Sequence, residues 1–282
     1  MLKKKLWFLL PLVALVTFTL TACTGTSSDT SKNSDVTAEL INKNELTIGL
    51  EGTYAPFSYR KDGKLEGFEV ELGKALAKKI GIKAKFVPTQ WDSLIAGLGS
   101  QKFDLVLNDI SETPARKKVY NFTTPYMYSR YALITRSDNT TIKSLADIKG
   151  KTFVEGTGTP NAALAKKYGA KITPSGDFTV SLSLVKEKRA DGTINASAAW
   201  YAFAKNNSTA GLKSQALKDS VVKPDEVAGM VSKKSPKLQA ALSKGIQELR
   251  KDGTLKKLSQ KYFGTLNFQV KCNDDNEFLI VV

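Results

Sequence analysis

The sequence predicts an α/β fold built from two units. Short apolar runs alternate with segments whose apolar residues recur at helical spacing, and this rhythm restarts near Tyr131. Such alternation produces mainly parallel sheets covered by helices. At 282 residues the chain is also long enough for two ordinary domains.

In the first unit, Leu46–Leu50 reads as a buried strand, and Gly67–Gly81 carries Leu72, Ala75, Leu76 and Ile80 on one helical face. A strand at Ala84–Val87, a helix at Asp92–Leu98 and a strand at Leu105–Leu107 follow. The second unit opens with a strand at Tyr131–Arg136 and a helical turn at Ser144–Lys149. A strand then starts at Thr152–Val154, and a helix at Pro160–Tyr168 is stopped by Gly169. A helix near Val180–Lys188 and a strand end at Thr193–Asn195 complete it. Near the end, Ser235-Pro236 reads as a cap followed by proline in the first turn. Behind it lies the stripe Leu238, Ala241, Leu242, Ile246 and Leu249. A last helix carries Leu255, Leu258 and Tyr262 before Gly264.

The first residues read differently. Lys3, Lys4 and Lys5 precede an apolar run from Leu6 to Leu20, and Leu20-Thr21-Ala22-Cys23 follows. A basic start, a short apolar core and small residues before a cut site mark an export signal. The run is about fifteen residues, short of the roughly 20 that a spanning helix needs. A cysteine directly after it resembles a bacterial lipobox, in which residues 1–22 are removed and Cys23 becomes a lipid-bearing N-terminus. Residues 23–45, rich in Ser, Thr, Asn and Asp to about Asn44, then form a flexible tether. The expected location is the extracytoplasmic face of the cell membrane, reached by a lipid anchor.

Composition excludes several chemistries. There is no histidine, and Cys272 is the only other thiol. A zinc site of His and Cys is therefore ruled out, as is a nucleophile–histidine pair. No metal and no cofactor is expected. The formal charge of +15 reads as a solvated lysine-rich surface. Nucleic acid is not an expected partner, because export separates the chain from it and the lysines form no long run.

Two helix starts share a pattern. Thr113-Pro114-Ala115-Arg116 and Thr159-Pro160-Asn161 each pair a capping threonine with proline at the first turn. Each presents free backbone N–H groups and a positive dipole end. Arg116 adds a guanidinium fork that matches a carboxylate. Together these suggest two half-sites for one small anion, with plain capping as the alternative. Tyr54, in the loop Tyr54-Ala55-Pro56-Phe57, and Trp91 both follow strands, where open α/β sheets bind ligands. They are either ligand walls or core. Glu51, Asp109 and Glu155 lie just past expected strands and are the acids available to an ammonium.

These residues sit inside longer motifs. LTIGLEGTYAPFSYRKDGKLEGFEVELGKALAKKIG, WDSLIAGLGSQKFDLVLNDISETPARKKVYNFTTPY, SLADIKGKTF, AGMVSKKSP and IQELRKDGTLKKLSQKYFG occur in that order. The stretch from Leu46 to Gly264 resembles the solute-binding proteins of polar amino-acid ABC transporters (bacterial extracellular solute-binding protein family 3). WDSLIAGL and YGAK are similar to the cystine-binder branch.

The resemblance implies a two-lobed, type II periplasmic-binding-protein-like fold that closes on one free amino acid and delivers it to a membrane permease. Residues 46–134 and 226–264 would form lobe one, residues 135–225 lobe two, and residues 265–282 a tail outside the family pattern. Arg116 would clasp the α-carboxylate, helped by N–H groups near Ser111 and the Thr157-Gly158-Thr159 loop. Tyr54 and Trp91 would wall the side chain. Glu51 and Asp109 match positions facing the side chain or the ammonium.

One departure stands out. Relatives place an ammonium-binding acid where this chain has Ala196, in Arg189-Ala190-Asp191-Gly192-Thr193-Ile194-Asn195-Ala196-Ser197. Either Asp109, Glu155 or Asn195 substitutes, or the ligand differs. The chain is expected to be a receptor rather than an enzyme. The alternatives are a dehydratase on the same scaffold, working through Glu51, Asp109 or Glu155, and a sensory ligand-binding protein.

Overall fold

The computed structural model describes residues 36–264, 269–272 and 278–282. The expected signal at 1–22, the lipid-bearing Cys23 and the start of the tether lie outside the described residues.

Two five-stranded sheets form the two lobes. In the first, the apolar strand Glu45–Leu50 sits between Lys83–Pro88 and Leu105–Val106 and runs parallel to both. Met230–Ser232 returns from the far end of the sequence, antiparallel between Leu105–Val106 and Tyr120–Phe122. In the second, Lys171–Pro174, Thr152–Glu155 and Gly192–Ala196 run parallel, and Tyr131–Arg136 pairs antiparallel with Gly192–Ala196 and Leu212–Ala216. The expected lobe boundary after Ile134 therefore divides a strand that belongs wholly to the second sheet. The chain changes lobes through Met127–Ser129 and Asp225–Val227, which pair antiparallel with Asp225 opposite Ser129.

Periodicity explains the packing. Helix Phe68–Lys79 buries Phe68, Leu72, Leu76 and Ala77, and helices Pro236–Lys251 and Thr254–Phe263 press Leu238, Leu242, Ile246, Leu255 and Leu258 into the same core. The second lobe has its own cores around Phe153, Ile194 and Ala165, and around Ile134, Leu182 and Trp200. Helix Ser197–Asn206, absent from the sequence reading, begins at Ala196 with no side-chain cap. No local start signal therefore marks where this helix begins.

Two further expectations are corrected. Ser235 makes no side-chain cap on helix Pro236–Lys251; the Leu238 N–H donates instead to Glu39 Oε2 at 2.8 Å. Glu39 belongs to the expected tether, whose last part is docked: Leu40 is buried, and the Ile41 N–H donates to Asp104 Oδ1 at 2.8 Å. Two apolar residues, Val36 and Leu40, pull this segment onto lobe one. The tail is likewise integrated. Gln269–Cys272 pairs with Phe278–Val281, and Val281 lies in register with Tyr128 of the crossover. Ile280, Val281 and Val282 are buried.

Replacing a capping oxygen by a methyl group costs about 0.5–2 kcal/mol. Glu39→Ala is expected to lower the urea midpoint by that equivalent without changing the slope. An unchanged midpoint would show that residues 36–40 do not hold the helix.

Candidate functional site

The cleft between the lobes collects most of the residues singled out above; Thr157 and Gly158 do not line it and reach lobe one through their carbonyls. Thr113 Oγ1 accepts the Arg116 N–H at 3.2 Å, and Thr159 Oγ1 accepts the Ala162 N–H at 3.0 Å, so both threonines cap their helices. Capping fixes where each helix begins, and hence where Arg116 projects. The residue is 8% exposed, and its guanidinium carbon lies 5.6 Å from the centroid of the Trp91 ring. Nη1 donates to the Ser111 carbonyl at 3.0 Å, and Nη2 reaches across the cleft to the Gly158 carbonyl at 3.3 Å. Burial pulls its pKa down, opposed by Asp225, Tyr131 and Asp109.

The aromatic residues also bridge the lobes. Trp91 Nε1 donates to the Thr157 carbonyl at 2.8 Å, and the Tyr54 hydroxyl donates to Asn195 Oδ1 at 2.5 Å. Tyr54 stands edge-on to Phe178, ring centroids 6.3 Å apart. The Thr157-Gly158-Thr159 loop thus turns two carbonyls toward lobe one, and Thr159 lines the cleft while its N–H turns back to Gly156. A Cβ on Gly156 would meet Thr159 Cγ2 at 2.8 Å and Trp91 Nε1 at 3.3 Å. The threonine contact is too short for a real Cβ, so glycine leaves room for Thr159 beside the indole.

The acids occupy distinct places. Asp109 sits at φ 50, in the left-handed region that Asp tolerates better than most residues. Its N–H donates to Glu69 Oε1 at 2.7 Å, and its Oδ2 accepts the Ser129 hydroxyl at 3.3 Å. Burial, then Glu69 and Asp225, push its carboxyl well above the usual range. Glu51 pairs with Asn108: its N–H donates to Asn108 Oδ1 at 2.9 Å, and its Oε2 accepts Nδ2 at 2.5 Å. Glu155 is buried and fastens two strands, its Oε1 accepting the Ile194 N–H at 2.7 Å.

A small molecule with both charges fits between such groups. The profile of the bacterial extracellular solute-binding proteins, family 3, matches residues 46–265. The chain belongs to this family. The solute-binding protein is similar to the L-cystine-binding protein TcyA of Bacillus subtilis (strain 168), at 37% identity over 240 residues, 84% of this chain and 88% of the relative. An ancestral arginine-binding protein bound to glutamine superposes with a TM-score of 0.74 at 33% identity, over 79% of this chain and 99% of that one. The L-cystine solute receptor of Neisseria gonorrhoeae, unliganded and open, is 38% identical over 85% of this chain and 98% of that one, yet its TM-score is 0.54. Higher identity with poorer superposition fits lobes that stand closed here, as the cross-cleft hydrogen bonds require.

The cleft of this solute-binding protein also holds residues that the sequence reading missed. Asp225 reaches it through the crossover register, and the Tyr131 hydroxyl donates to Asp225 Oδ2. Asn108, Ser129, Asp177 and Phe178 also line it. Only Asp177 carried a local signal, as the cap of helix Phe178–Lys186.

Burial, aided by Asp177 and Asp92, raises the Glu51 carboxyl from 4.5 to about 7. Between those values the folded state holds more of this proton than the unfolded chain, so Glu51 subtracts stability as pH rises. Relative to the wild type, Glu51→Gln is expected to gain on the order of 2 kcal/mol between pH 4.5 and pH 8. Urea titrations at both pH values check this, and a difference that does not change with pH would refute it.

Proposed function

We propose that this chain is a lipid-anchored receptor that captures a free amino acid outside the cytoplasmic membrane and presents it to an ABC permease. The observation that carries this reading is a buried guanidinium, Arg116, flanked by acids and aromatic walls in a cleft between two lobes. That arrangement suits a small zwitterion. Arg116 takes the α-carboxylate, displacing the Gly158 carbonyl, with the Ser111 and Thr157–Thr159 segments beside it. Tyr54 and Trp91 enclose the side chain.

Glu51 and Asp177 line the same cleft and suit a ligand with a second cationic group. L-Cystine, which the Bacillus relative is named for binding, carries a second ammonium and meets that requirement. The closed form is the state a permease would recognise, and the ligand stabilises it only through contacts it makes better there. The anchor is Cys23, directly after the export signal.

A dehydratase on the same scaffold has one observation in its favour. Glu51, held at about 7, is poised for proton transfer near neutrality. Turnover of prephenate or arogenate, abolished in Glu51→Gln, would replace the receptor reading.

A thermal-shift screen of the chain from Thr24 to Val282 against free L-amino acids, cystine included, tests the proposal. One solute is expected to raise the melting temperature strongly. Arg116→Ala is expected to weaken its binding by about 1.5–3 kcal/mol, or 10- to 150-fold. Silence across the panel would end the amino-acid reading.

The anchor has its own test. Cys23→Ala is expected to move the protein from the membrane fraction of the expressing cells to the soluble extracytoplasmic fraction. Unchanged membrane retention would exclude acylation of Cys23 as its tether.

A further inference from the structure

Resting on the receptor reading above, we propose that Asp109 binds the ligand's α-ammonium from lobe one, in place of the lobe-two acid missing at Ala196. Three groups compete for this role, and their hydrogen bonds separate them. Glu155 is committed to its own lobe: it accepts the Ile194 N–H at 2.7 Å and a bond from the Thr193 side chain. The residue is 2% exposed. Moving it would unfasten strand Thr152–Glu155 from Gly192–Ala196. Asn195 is also excluded. Its Oδ1 already accepts the Tyr54 hydroxyl and the Ala196 N–H. The remaining NH₂ is a donor, and an ammonium has no lone pair to receive it.

Asp109 is different. Its Oδ2 accepts from Ser129, but its Oδ1 is buried with no partner in the wall of the cleft. A buried acceptor left unpaired is costly, so it marks a place where a donor is missing. The backbone holds it there: the Asp109 N–H is tied to Glu69, which is tied in turn to the Tyr126 hydroxyl. Asp225, opposite Ser129 in the crossover register, brings a second acid to the same end. Arg116 is close enough for both acids to act on it. The carboxylate and ammonium of one amino acid therefore fit side by side against lobe one and the crossover.

A consequence concerns closure. With both ends of the zwitterion held by lobe one, the head group is bound before the lobes meet. Closure is then driven by what lobe two adds, chiefly the Gly156–Thr159 loop, Asp177 and Phe178. A ligand shifts the open–closed balance only through such differential contacts.

Calorimetric titration of the chain from Thr24 to Val282 tests this. The probe is the amino acid bound most tightly in a panel of the common L-amino acids and L-cystine, paired with its des-amino analogue (3,3′-dithiodipropionate for cystine). The unaltered chain is expected to prefer the amino acid by about 10- to 100-fold, the size of a charge-assisted hydrogen bond. Asp109→Asn is expected to abolish most of that preference without lowering the melting temperature of the unliganded protein. A merely structural role would give the opposite pair of results. Adding Ala196→Asp to Asp109→Asn is expected to restore the preference from the other lobe. Undiminished preference in Asp109→Asn would overturn the inference and leave the receptor standing. No amino-acid binding by the unaltered chain would overturn both.

Discussion

Burial of the Arg116 guanidinium is the constraint from which the rest of the cleft follows. A charge removed from water costs several kcal/mol unless other groups replace the solvent. Here the replacements come from both lobes: the Ser111 carbonyl, the face of Trp91, and the Gly158 carbonyl opposite. Each depends on a local device. The Thr113 cap sets the start of helix Pro114–Val119, a bridge between Ser111 and Val227 places the carbonyl, and Gly156 leaves room for Thr159 beside the indole. The carbonyl contact from lobe two is a neutral substitute for a carboxylate. An anion in its place makes a stronger, charge-assisted pair.

The cleft inverts the charge of the molecule. The chain carries +15 formally, yet among the described residues lining the cleft Arg116 is the only basic side chain, against Glu51, Asp109, Glu155, Asp177 and Asp225. Burial holds Glu51 and Asp109 above their usual range, so the unliganded cleft keeps protons that solvent would otherwise remove. A ligand with cationic groups supplies the same compensation and more, because it can face several acids at once. The lysines remain outside this balance, on the solvated surface.

Much of this was legible in the sequence because it rests on local rules. The Leu72–Ile80 and Leu238–Leu249 stripes named their helices, and Thr-Pro pairs located two of the capped helix starts flanking the cleft. What escaped depends on distant pairing. Glu39 caps a helix 199 residues away in place of Ser235, and Asp225 enters the site only because it falls opposite Ser129. Helix Ser197–Asn206 was missed for a third reason: Ala196 offers no cap. That same residue stands where the resemblance implies an acid, a residue type that would also have signalled the helix start.

The crossover strand Met127–Ser129 joins these threads. It carries the chain between lobes, its Ser129 hydroxyl holds Asp109, and its register delivers Asp225. Its outer edge is occupied too: the Val282 N–H donates to the Tyr128 carbonyl at 2.9 Å, and the Arg130 N–H donates to the Val282 carbonyl at 2.7 Å. Those bonds satisfy an edge that would otherwise be open to solvent or to other chains. They also make the tail part of the element about which the lobes must turn. A rotation that opens the cleft has to act through a strand that bonds Asp109 on one side and the tail on the other. The cleft wall and the lobe connection therefore meet in the three residues Met127–Ser129, which a change of lobe angle cannot leave undisturbed.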